Sequence, residues 1–206
     1  MKKLIGLAGC IGSGKDTVAE YLCQYYDFRR IAMAEKLKKV TSELFGWDLD
    51  VVNGYTPEAR EAREIPDPYW SNALGRKWSP RIALQYLGTE VFRENLHDDF
   101  WVQVTTKSIL DHPGSVVISD VRFSNEAKMI HDLGGKVWRI RRNTDPEWSR
   151  INFNTTQQLV GYFSNRSDVH ASEWSSLSPE MKYDRVIDND SSLEVLYNNV
   201  ESFLQN

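Results

Sequence analysis

The sequence predicts an α/β fold, with a parallel sheet of five strands and helices on both of its faces. Short apolar runs, typical of buried strands, alternate along the chain with segments whose apolar residues recur at helical spacing. The first run, residues 4–8, ends in a glycine-rich turn and is followed by a helical segment at 17–26. Because strands that alternate with helices pair in parallel, we expect ligands to bind outside the carboxyl ends of the strands.

The remaining elements follow from the same two patterns. Further strands are predicted over residues 28–33, 115–120, 136–140 and 185–187. Further helices are predicted over residues 34–45, 80–96, 99–110, 125–133 and 191–203. The helix at 80 is marked by Ser79-Pro80, an N-cap residue followed by proline at the first helical position. Two polar stretches lack periodicity and are predicted as irregular: 47–79, an insertion on the substrate side, and 141–173, a lid.

Length, charge and cysteine usage narrow the class of protein. The 206 residues are expected to form one domain, 1–206. A formal net charge of −4 argues against a nucleic-acid polymer as partner and favours a small-molecule ligand. Cys10 and Cys23 suggest neither a disulfide framework nor a zinc site. This cysteine usage indicates an intracellular protein. No membrane span is expected, because no long apolar segment occurs.

The strongest functional signal lies in residues 9–17. They satisfy the pattern G-x-x-x-x-G-K between a predicted strand and a predicted helix, which is the context that a phosphate-binding loop requires. The backbone N–H groups of such a loop and the helix N-terminus favour a polyphosphate, and Lys15 is expected to bridge the β and γ phosphates. The alternative is a glycine-rich turn without a ligand. The predicted ATP-binding residues are Gly12, Ser13, Gly14, Lys15, Asp16 and Thr17.

Two carboxylates are candidates for magnesium binding. Asp16 occupies the position after the loop lysine, where Ser or Thr usually holds magnesium. As a candidate catalytic residue, it could bind the ion directly or through water, or act on the acceptor. Thr17 could supply the hydroxyl ligand, and a simple helix N-terminal charge is the alternative for Asp16. Asp120 ends an apolar strand, as a Walker B aspartate does. The expected cofactors are therefore ATP and Mg²⁺, with the metal at Asp16, Thr17 and Asp120.

Several arginines are placed to neutralise phosphate charge. Phosphoryl transfer requires cations around two phosphorylated ligands, and arginine binds phosphate in a bidentate way. Arg122 follows Asp120 and is predicted to face the same cleft. Arg139, Arg141 and Arg142 cluster at the end of the fourth predicted strand, and Arg141 is the candidate catalytic residue of the lid. The alternatives are a surface ion pair for Arg122 and a solvated basic patch for the others.

A polar stripe runs along the longest predicted helix. Arg81, Gln85, Thr89 and Arg93 are four residues apart and therefore form a stripe that drifts slowly around the helix. Its arginines could bind a charged acceptor that Gln85 recognises. The alternative is that the stripe serves only solubility. Lys38, on the preceding helix, is predicted as a further acceptor-binding cation.

Four sequence blocks occur in a fixed order along most of the chain. They are G-x-x-G-S-G-K-D-T, L-Q-x-x-G-T-x-x-x-R from Leu84, D-V-R-F-x-N-E from Asp120, and R-x-x-x-H-x-S-E from Arg166. In this order they resemble the deoxynucleoside monophosphate kinases of tailed bacteriophages. The resemblance implies a P-loop nucleoside triphosphate hydrolase fold of the nucleoside monophosphate kinase type with a lid. It also implies ATP as donor, magnesium as cofactor and several deoxynucleoside monophosphates as acceptors.

The resemblance carries further implications. Aspartate is tolerated after the loop lysine in that family, so Asp16 is no anomaly there. Arg166, His170 and Glu173 match a block on the acceptor side of the cleft. The family also implies a homodimer in the cytoplasm of an infected host, where it supplies precursors for viral DNA.

The resulting hypothesis is transfer of the γ-phosphoryl group from ATP to a deoxynucleoside monophosphate. Lys15, magnesium and the loop amides would hold the donor, while Arg93, Arg122 and Arg141 would hold the acceptor phosphate. No general base is required, because the acceptor phosphate is already anionic at neutral pH. Two alternatives stay open: a kinase for dephospho-coenzyme A or phosphomevalonate, and a non-kinase switch that binds ATP and signals by shape.

Overall fold

A computed structural model describes residues 2–166 and 168–205, apart from the side chain of Ser172. The chain folds into two compact units. The sheet unit comprises Met1–Ala32 and Thr105–Asn206, and the helical unit comprises Met33–Val104. The assignment of residues 1–206 to one domain stays a prediction.

The sheet has five strands in the order β2-β3-β1-β4-β5, and every neighbouring pair is parallel. The strands are β1 Leu4–Ala8, β2 Arg29–Ile31, β3 Val116–Val121, β4 Lys136–Arg141 and β5 Arg185–Asp188. All five lie where the apolar runs predict them. The central strand, β1, is buried along its whole length, so the segment that leaves it lies in the middle of the carboxyl edge of the sheet.

Helices make up most of the remaining described chain. The α-helices are α1 Lys15–Tyr26, α2 Glu35–Phe45, α3 Leu49–Asn53, α4 Pro57–Ala62, α5 Pro68–Ala73, α6 Pro80–Gln85, α7 Phe100–Leu110, α8 Ser124–Asp132, α9 Thr156–Phe163, α10 Ala171–Trp174 and α11 Leu193–Gln205. A π-helix, Tyr86–Leu96, continues α6, and 3₁₀ turns cover Glu147–Arg150 and Ser175–Leu177. In the described ranges, no helix has both the length and the apolar character that crossing a membrane requires.

Helices α1 and α11 cover one face of the sheet. Because side chains alternate along a strand, Ile5 and Leu7 of β1 point to this face, where they join one buried cluster with Trp138 of β4. Leu22 of α1 and Leu196 of α11 belong to the same cluster. Burial of each side chain of this size stabilises the fold by about 1.5–3 kcal/mol.

Helix α8 covers the opposite face. Gly6 points to this side, and a Cβ atom built on it would lie 2.4 Å from Cδ1 of Ile130 and 3.0 Å from Cγ2 of Val121. The missing side chain at Gly6 therefore lets α8 lie close against β1. Helices on both faces of a five-stranded parallel sheet confirm the predicted fold class.

The stretch 141–173 is more regular than its polar sequence predicts, and the expectation of an irregular segment is wrong. Thr155 caps α9 by accepting a hydrogen bond from the Gln158 N–H group. Phe163 of α9 stacks on Trp174 with ring centroids 5.0 Å apart. With Leu159 these rings form a small core of their own. Aromatic packing therefore orders this stretch, although its polar sequence shows no apolar periodicity.

The stretch 47–79 is likewise helical, which corrects the prediction of an irregular insertion. It holds α3, α4 and α5, each of which begins with a side-chain cap, at Asp48, Thr56 and Asp67. Two of these caps precede a proline, the same signal that marks the start of α6. The helices have at most six residues, so they are too short to show an apolar period.

Aromatic rings hold the helical unit together. Phe45 lies 4.6 Å from the ring of Trp47 and 5.0 Å from that of Trp70, measured between centroids. The indole N–H of Trp47 donates a 2.8 Å hydrogen bond to Asp67, and that of Trp70 donates a 2.9 Å bond to the Phe45 carbonyl. The indole N–H groups of these two half-buried tryptophans are thus paired.

The helix predicted over 80–96 has the expected extent, but only its first six residues are α-helical. From Tyr86 onward the backbone is a π-helix. At its end the N–H of His97 donates a 3.0 Å bond to the carbonyl of Phe92, five residues earlier. π-Helical winding is rare and frequent at functional sites.

Replacing Gly6 with alanine is expected to destabilise the protein by about 1–3 kcal/mol, because the new methyl group overlaps Cδ1 of Ile130. Ile130→Val removes that atom, so the double variant should be more stable than the sum of the two single losses. Urea unfolding of the four proteins measures this coupling. Strictly additive losses would show that the two side chains do not compete for space.

Candidate functional site

The phosphate loop, residues 9–14, joins β1 to α1 at the centre of the sheet. Gly9 and Gly14 have φ angles of 145° and 105°, which side chains other than hydrogen disfavour. A Cβ atom on Gly9 would lie 2.2 Å from the carbonyl oxygen of Ile140, and one on Gly14 would lie 2.3 Å from Nδ2 of Asn189. Both glycines are therefore required by the backbone angles and by the groups packed against the loop.

The ammonium group of Lys15 lies across the loop. It donates hydrogen bonds of 2.9 Å and 2.6 Å to the carbonyl oxygens of Gly9 and Cys10. Burial lowers the pKa of Lys15, and the nearby positive charge of Arg122 lowers it further. An anion between these two cations would relieve their repulsion, so the electrostatics of the loop favour a bound phosphate group.

Asn189 fixes the shape of the loop from the end of β5. Its buried side-chain amide donates a 2.9 Å hydrogen bond to the carbonyl oxygen of Ser13. Its backbone N–H donates a 2.8 Å bond to the carbonyl oxygen of Arg141. The Ser13 hydroxyl is itself buried and has no hydrogen-bond partner within residues 2–166 and 168–205. A phosphate oxygen would satisfy this orphaned hydroxyl, which makes the loop a fitting cradle for a nucleotide.

Asp16 contacts an arginine that sequence patterns did not indicate. Its carboxylate accepts a hydrogen bond from Nη2 of Arg30, on β2. Nε of Arg30 donates a 2.9 Å bond to the hydroxyl of Ser119, the residue before Asp120. One guanidinium group therefore links the first turn of α1 to the end of β3. The pairing of β2 with β3 creates this contact, and strand order is not readable from the sequence.

The end of β3 and the turn after it carry the second predicted carboxylate, Asp120, and its arginine, Arg122. Asp120 and Arg122 line one cavity together with Lys15, Trp148 and Glu173. Four of these five residues, all but Trp148, are predicted site residues that the structure brings to one cavity.

A buried carboxylate fixes that turn. Glu126, only 3% exposed, accepts hydrogen bonds of 2.8 Å and 3.1 Å from the backbone N–H groups of Arg122 and Phe123. These bonds hold the backbone of Arg122 in place, so its side chain extends from a fixed backbone position.

The oxygen ligands at this edge fit magnesium that arrives with ATP. Mg²⁺ needs only one or two protein carboxylates, because phosphates and water complete its shell. Asp16 lies exposed on the first turn of α1, beside Thr17, and Asp120 lines the cavity of Lys15. Among the residues that the structure describes, no group of three His, Cys, Asp or Glu side chains could hold a metal by itself.

The three arginines near the end of β4, Arg139, Arg141 and Arg142, have different partners. Arg141 forms a bidentate pair with Asp188, at 2.9 Å and 3.1 Å. Arg139 donates a 2.7 Å hydrogen bond to a carbonyl oxygen of the first 3₁₀ turn. Nη1 of Arg142 lies 3.4 Å from the carbonyl oxygen of Gly12, in the phosphate loop. Of these three arginines, Arg142 is the one whose guanidinium group contacts the loop, while the catalytic role of Arg141 stays a prediction.

A second cavity, of about 470 Å³, lies where β4 and β5 end. Arg141, Arg142 and Asn143 line it together with Asp188 and Asp190. The N–H of Asn143 donates a 2.6 Å bond to Asp190, which ties the two strand ends together. Sequence reasoning missed the two aspartates, whose only signal was their place directly after the last predicted strand.

The predicted acceptor stripe belongs to the helical unit. Arg81 lies on the first turn of α6 with Nε 4.0 Å from a carboxylate oxygen of Glu64, and Gln85 ends that helix. Thr89 and Arg93 lie on the π-helix, and Nη1 of Arg93 is 3.5 Å from the backbone carbonyl of residue 98.

The remaining predicted acceptor residues are more dispersed. Lys38 donates a 3.1 Å bond to a carbonyl at the end of α3 and lies 5.0 Å from the ring centre of Tyr55. Arg166 pairs with Asp168 at 3.0 Å. The carbonyl of His170 accepts a 2.9 Å bond from the N–H of Glu173, at the start of α10. Of the block at 166–173, Glu173 lines the cavity of Lys15.

Known proteins resemble this chain over most of its length. A family model described as deoxynucleotide monophosphate kinase matches residues 53–200. A protein of Acanthamoeba polyphaga mimivirus, whose description names a deoxynucleotide monophosphate kinase, is 33% identical over 98% of this chain and 96% of its own length. The deoxynucleoside-5′-monophosphate kinase of Escherichia phage T5 is 26% identical over 64% of this chain and 73% of its own. Among solved structures, shikimate kinase from Aquifex aeolicus is 14% identical and aligns with a TM-score of 0.48 over 98% of this chain and 96% of its own.

Replacing Asn189 with alanine is expected to destabilise the protein by about 1–3 kcal/mol, because the buried carbonyl of Ser13 loses its donor. A loosened loop should also bind nucleotide less well. Thermal melts with and without ATP and magnesium measure both effects, since a bound ligand raises the melting temperature in proportion to its affinity. Asn198→Ala, at an exposed position on α11, is the matched control. Equal stabilisation by nucleotide in both variants would contradict a role of Asn189 in the loop.

Proposed function

Because the chain belongs to the deoxynucleotide monophosphate kinase family, we propose that its phosphate loop and the turn after β3 together carry transfer of the γ-phosphoryl group of ATP to a deoxynucleoside monophosphate. Family membership makes the chain an ATP-dependent nucleoside monophosphate kinase. One observation carries the assignment to this site: Lys15, Asp120 and Arg122 line a single cavity at the carboxyl edge of the sheet.

The donor half of the site is the loop. Its backbone N–H groups and Lys15 hold the β and γ phosphates of ATP. Arg142, 3.4 Å from the loop carbonyl of Gly12, supplies a further cation on the lid side. The cavity beside Asp188 and Asp190 adjoins the loop and has the volume and the polar groups to receive the nucleoside of ATP.

The acceptor half of the site is assigned to arginines and polar side chains. Arg122 and Arg30, at the sheet edge, are the cations for the acceptor phosphate in the sheet unit. The stripe of Arg81, Gln85, Thr89 and Arg93, together with Lys38 and the block of Arg166, His170 and Glu173, supplies the remaining acceptor contacts.

The reaction needs positioning and charge neutralisation rather than a base. An oxygen of the acceptor phosphate attacks the γ phosphorus, the bond to the β–γ bridging oxygen breaks, and ADP leaves with the electron pair. Lys15 and Arg122 stabilise the charge that moves between the two ligands. Asp16, Asp120 and Thr17 would hold magnesium when ATP is bound, and the ion would supply neutralisation of phosphate charge.

The viral relatives support a setting for this activity. We propose a supply of deoxynucleoside diphosphates for viral DNA synthesis in the cytoplasm of an infected host. A homodimer, implied by the family resemblance, stays a prediction, and analytical ultracentrifugation measures it directly.

The test of function is coupled ADP release with ATP and magnesium against a panel of acceptors. The panel contains deoxy- and ribonucleoside monophosphates, dephospho-coenzyme A, phosphomevalonate and a sample without acceptor. Turnover confined to deoxynucleotides is the expected result. ADP release that does not depend on any acceptor would favour an ATP-dependent switch and contradict the proposed transfer.

Replacing Lys15 with alanine should lower kcat by about 10²–10³-fold or more, because the cation nearest the transferred charge is lost. The fold should persist, since the ammonium group donates its hydrogen bonds to two backbone carbonyls of the loop. Lys107→Ala, an exposed lysine on α7, is the control and should retain full turnover. Near-normal turnover of the Lys15 variant, with an unchanged circular dichroism spectrum, would refute the assignment of the loop.

The two lid arginines can be told apart by substitution. Arg142→Ala should raise the KM for ATP and lower kcat by about 10-fold or more, because its guanidinium group is the one near the loop. Arg141→Ala should have the smaller kinetic effect, because Arg141 is paired with Asp188. Steady-state kinetics at varied ATP decide the question, and the reverse order of effects would restore Arg141 as the catalytic lid residue.

A further inference from the structure

The π-helix changes which side chains share a face of the helix. In an α-helix four residues overshoot one turn of 3.6 residues by about 40°, so residues four apart drift steadily around the axis. In a π-helix the hydrogen bonds join residues five apart, and a turn takes more than four residues. The residues four and five positions after a given residue then both lie next to it, on either side, when the helix is viewed down its axis.

This winding recruits Glu90 to the polar stripe. Gln85 ends α6, and Thr89 and Glu90 follow it by four and five positions. In an α-helical continuation Glu90 would lie about 140° from Gln85, close to the opposite face. In the π-helix it lies on the side of Gln85 and Thr89. Arg93 follows Thr89 by four positions and stays near the same line along the helix. The angular drift that an α-helix would add at each step of the stripe is therefore reversed within the π-helix.

Glu90 has an unsatisfied carboxylate oxygen. Its Oε2 atom is buried and has no hydrogen-bond partner in the described part of the chain, residues 2–166 and 168–205. A buried acceptor without a donor costs free energy, more so when it carries charge. Such an atom therefore calls for a partner that the polypeptide does not supply.

We propose that Glu90 is a further acceptor-binding residue, and that it accepts a hydrogen bond from an O–H or N–H group in the nucleoside part of the monophosphate. The inference rests on the proposed function, because the stripe must bind the acceptor. A carboxylate would repel a phosphate group, whereas the arginines of the stripe attract it. Glu90 thus serves the nucleoside end, which carries the donors that an unpaired carboxylate needs.

The test compares Glu90→Gln and Glu90→Ala with the wild-type protein. Calorimetric titration with deoxythymidine monophosphate in the absence of ATP should show about 10-fold or more weaker binding for Glu90→Ala, the loss of one hydrogen bond to a charged group. Glu90→Gln keeps an acceptor oxygen and loses the charge, so its affinity should be intermediate. The KM for ATP should change in neither variant.

A merely structural role predicts a different pattern. In that case the melting temperature of Glu90→Ala falls while its acceptor affinity stays at the wild-type value, and this result would overturn the proposal. Glu43→Gln, an exposed glutamate on α2, is the matched control and should bind the acceptor normally. Wild-type turnover with deoxynucleotides is measured alongside, so a failure of the proposed function is seen separately from a failure of the role of Glu90.

Acceptor analogues identify the donor group. If the 3′-hydroxyl is bound, the wild-type protein should bind the 2′,3′-dideoxy monophosphate more weakly than its deoxy parent, and Glu90→Ala should bind the two alike. If a base N–H is bound, the loss in Glu90→Ala should persist with the dideoxy analogue and vanish with a base that lacks that donor. Either pattern supports the proposal. An equal loss with every analogue, including one that lacks both groups, would overturn it.

Discussion

The phosphate loop depends on the strands beside it as much as on its own glycines. Gly9 lies against the carbonyl of Ile140 at the end of β4, and Gly14 lies against the side chain of Asn189 just after β5. Asn189 also donates to the loop carbonyl of Ser13. The loop conformation is thus fixed by the pairing of β1 with β4 and of β4 with β5. Preorganised N–H groups lose little entropy when a phosphate binds, so sheet topology contributes directly to ligand affinity.

The cations of the site are held by partners that a ligand can replace. Lys15 donates to two loop carbonyls, Arg30 to the carboxylate of Asp16, and Arg142 approaches the carbonyl of Gly12. Each contact keeps a charged side chain near the place where phosphate oxygens or magnesium would lie. Nucleotide binding then exchanges one set of partners for another and needs little movement of the backbone. The lowered pKa of Lys15 fits this picture, since buried like charges favour an anion between them.

Local signals predicted the frame of the molecule and several residues that line the cavity of Lys15, while contacts set by topology escaped them. The loop motif, the apolar runs and the Ser79-Pro80 start are each encoded in a few neighbouring residues. Arg30 enters the site only because β2 pairs with β3, and Asn189 only because β5 ends beside the loop. The short helices of 47–79 were missed for a different reason. Their capping residues are present, but the helices are too short for the periodicity on which helix prediction depends.

The four-residue spacing of the polar stripe predicts the winding of the helix as well as its presence. Four positions from Arg81 to Arg93 repeat every four residues, whereas an α-helix turns every 3.6. Over three intervals this mismatch would spread the side chains by about 120°. A helix that keeps them in line must therefore unwind, and the structure unwinds from Tyr86 onward. Departure of a polar repeat from the helical period is itself a structural signal, in the way that heptad repeats indicate supercoiling. Here the repeat favours a wider helix and, with it, the entry of Glu90 into the stripe.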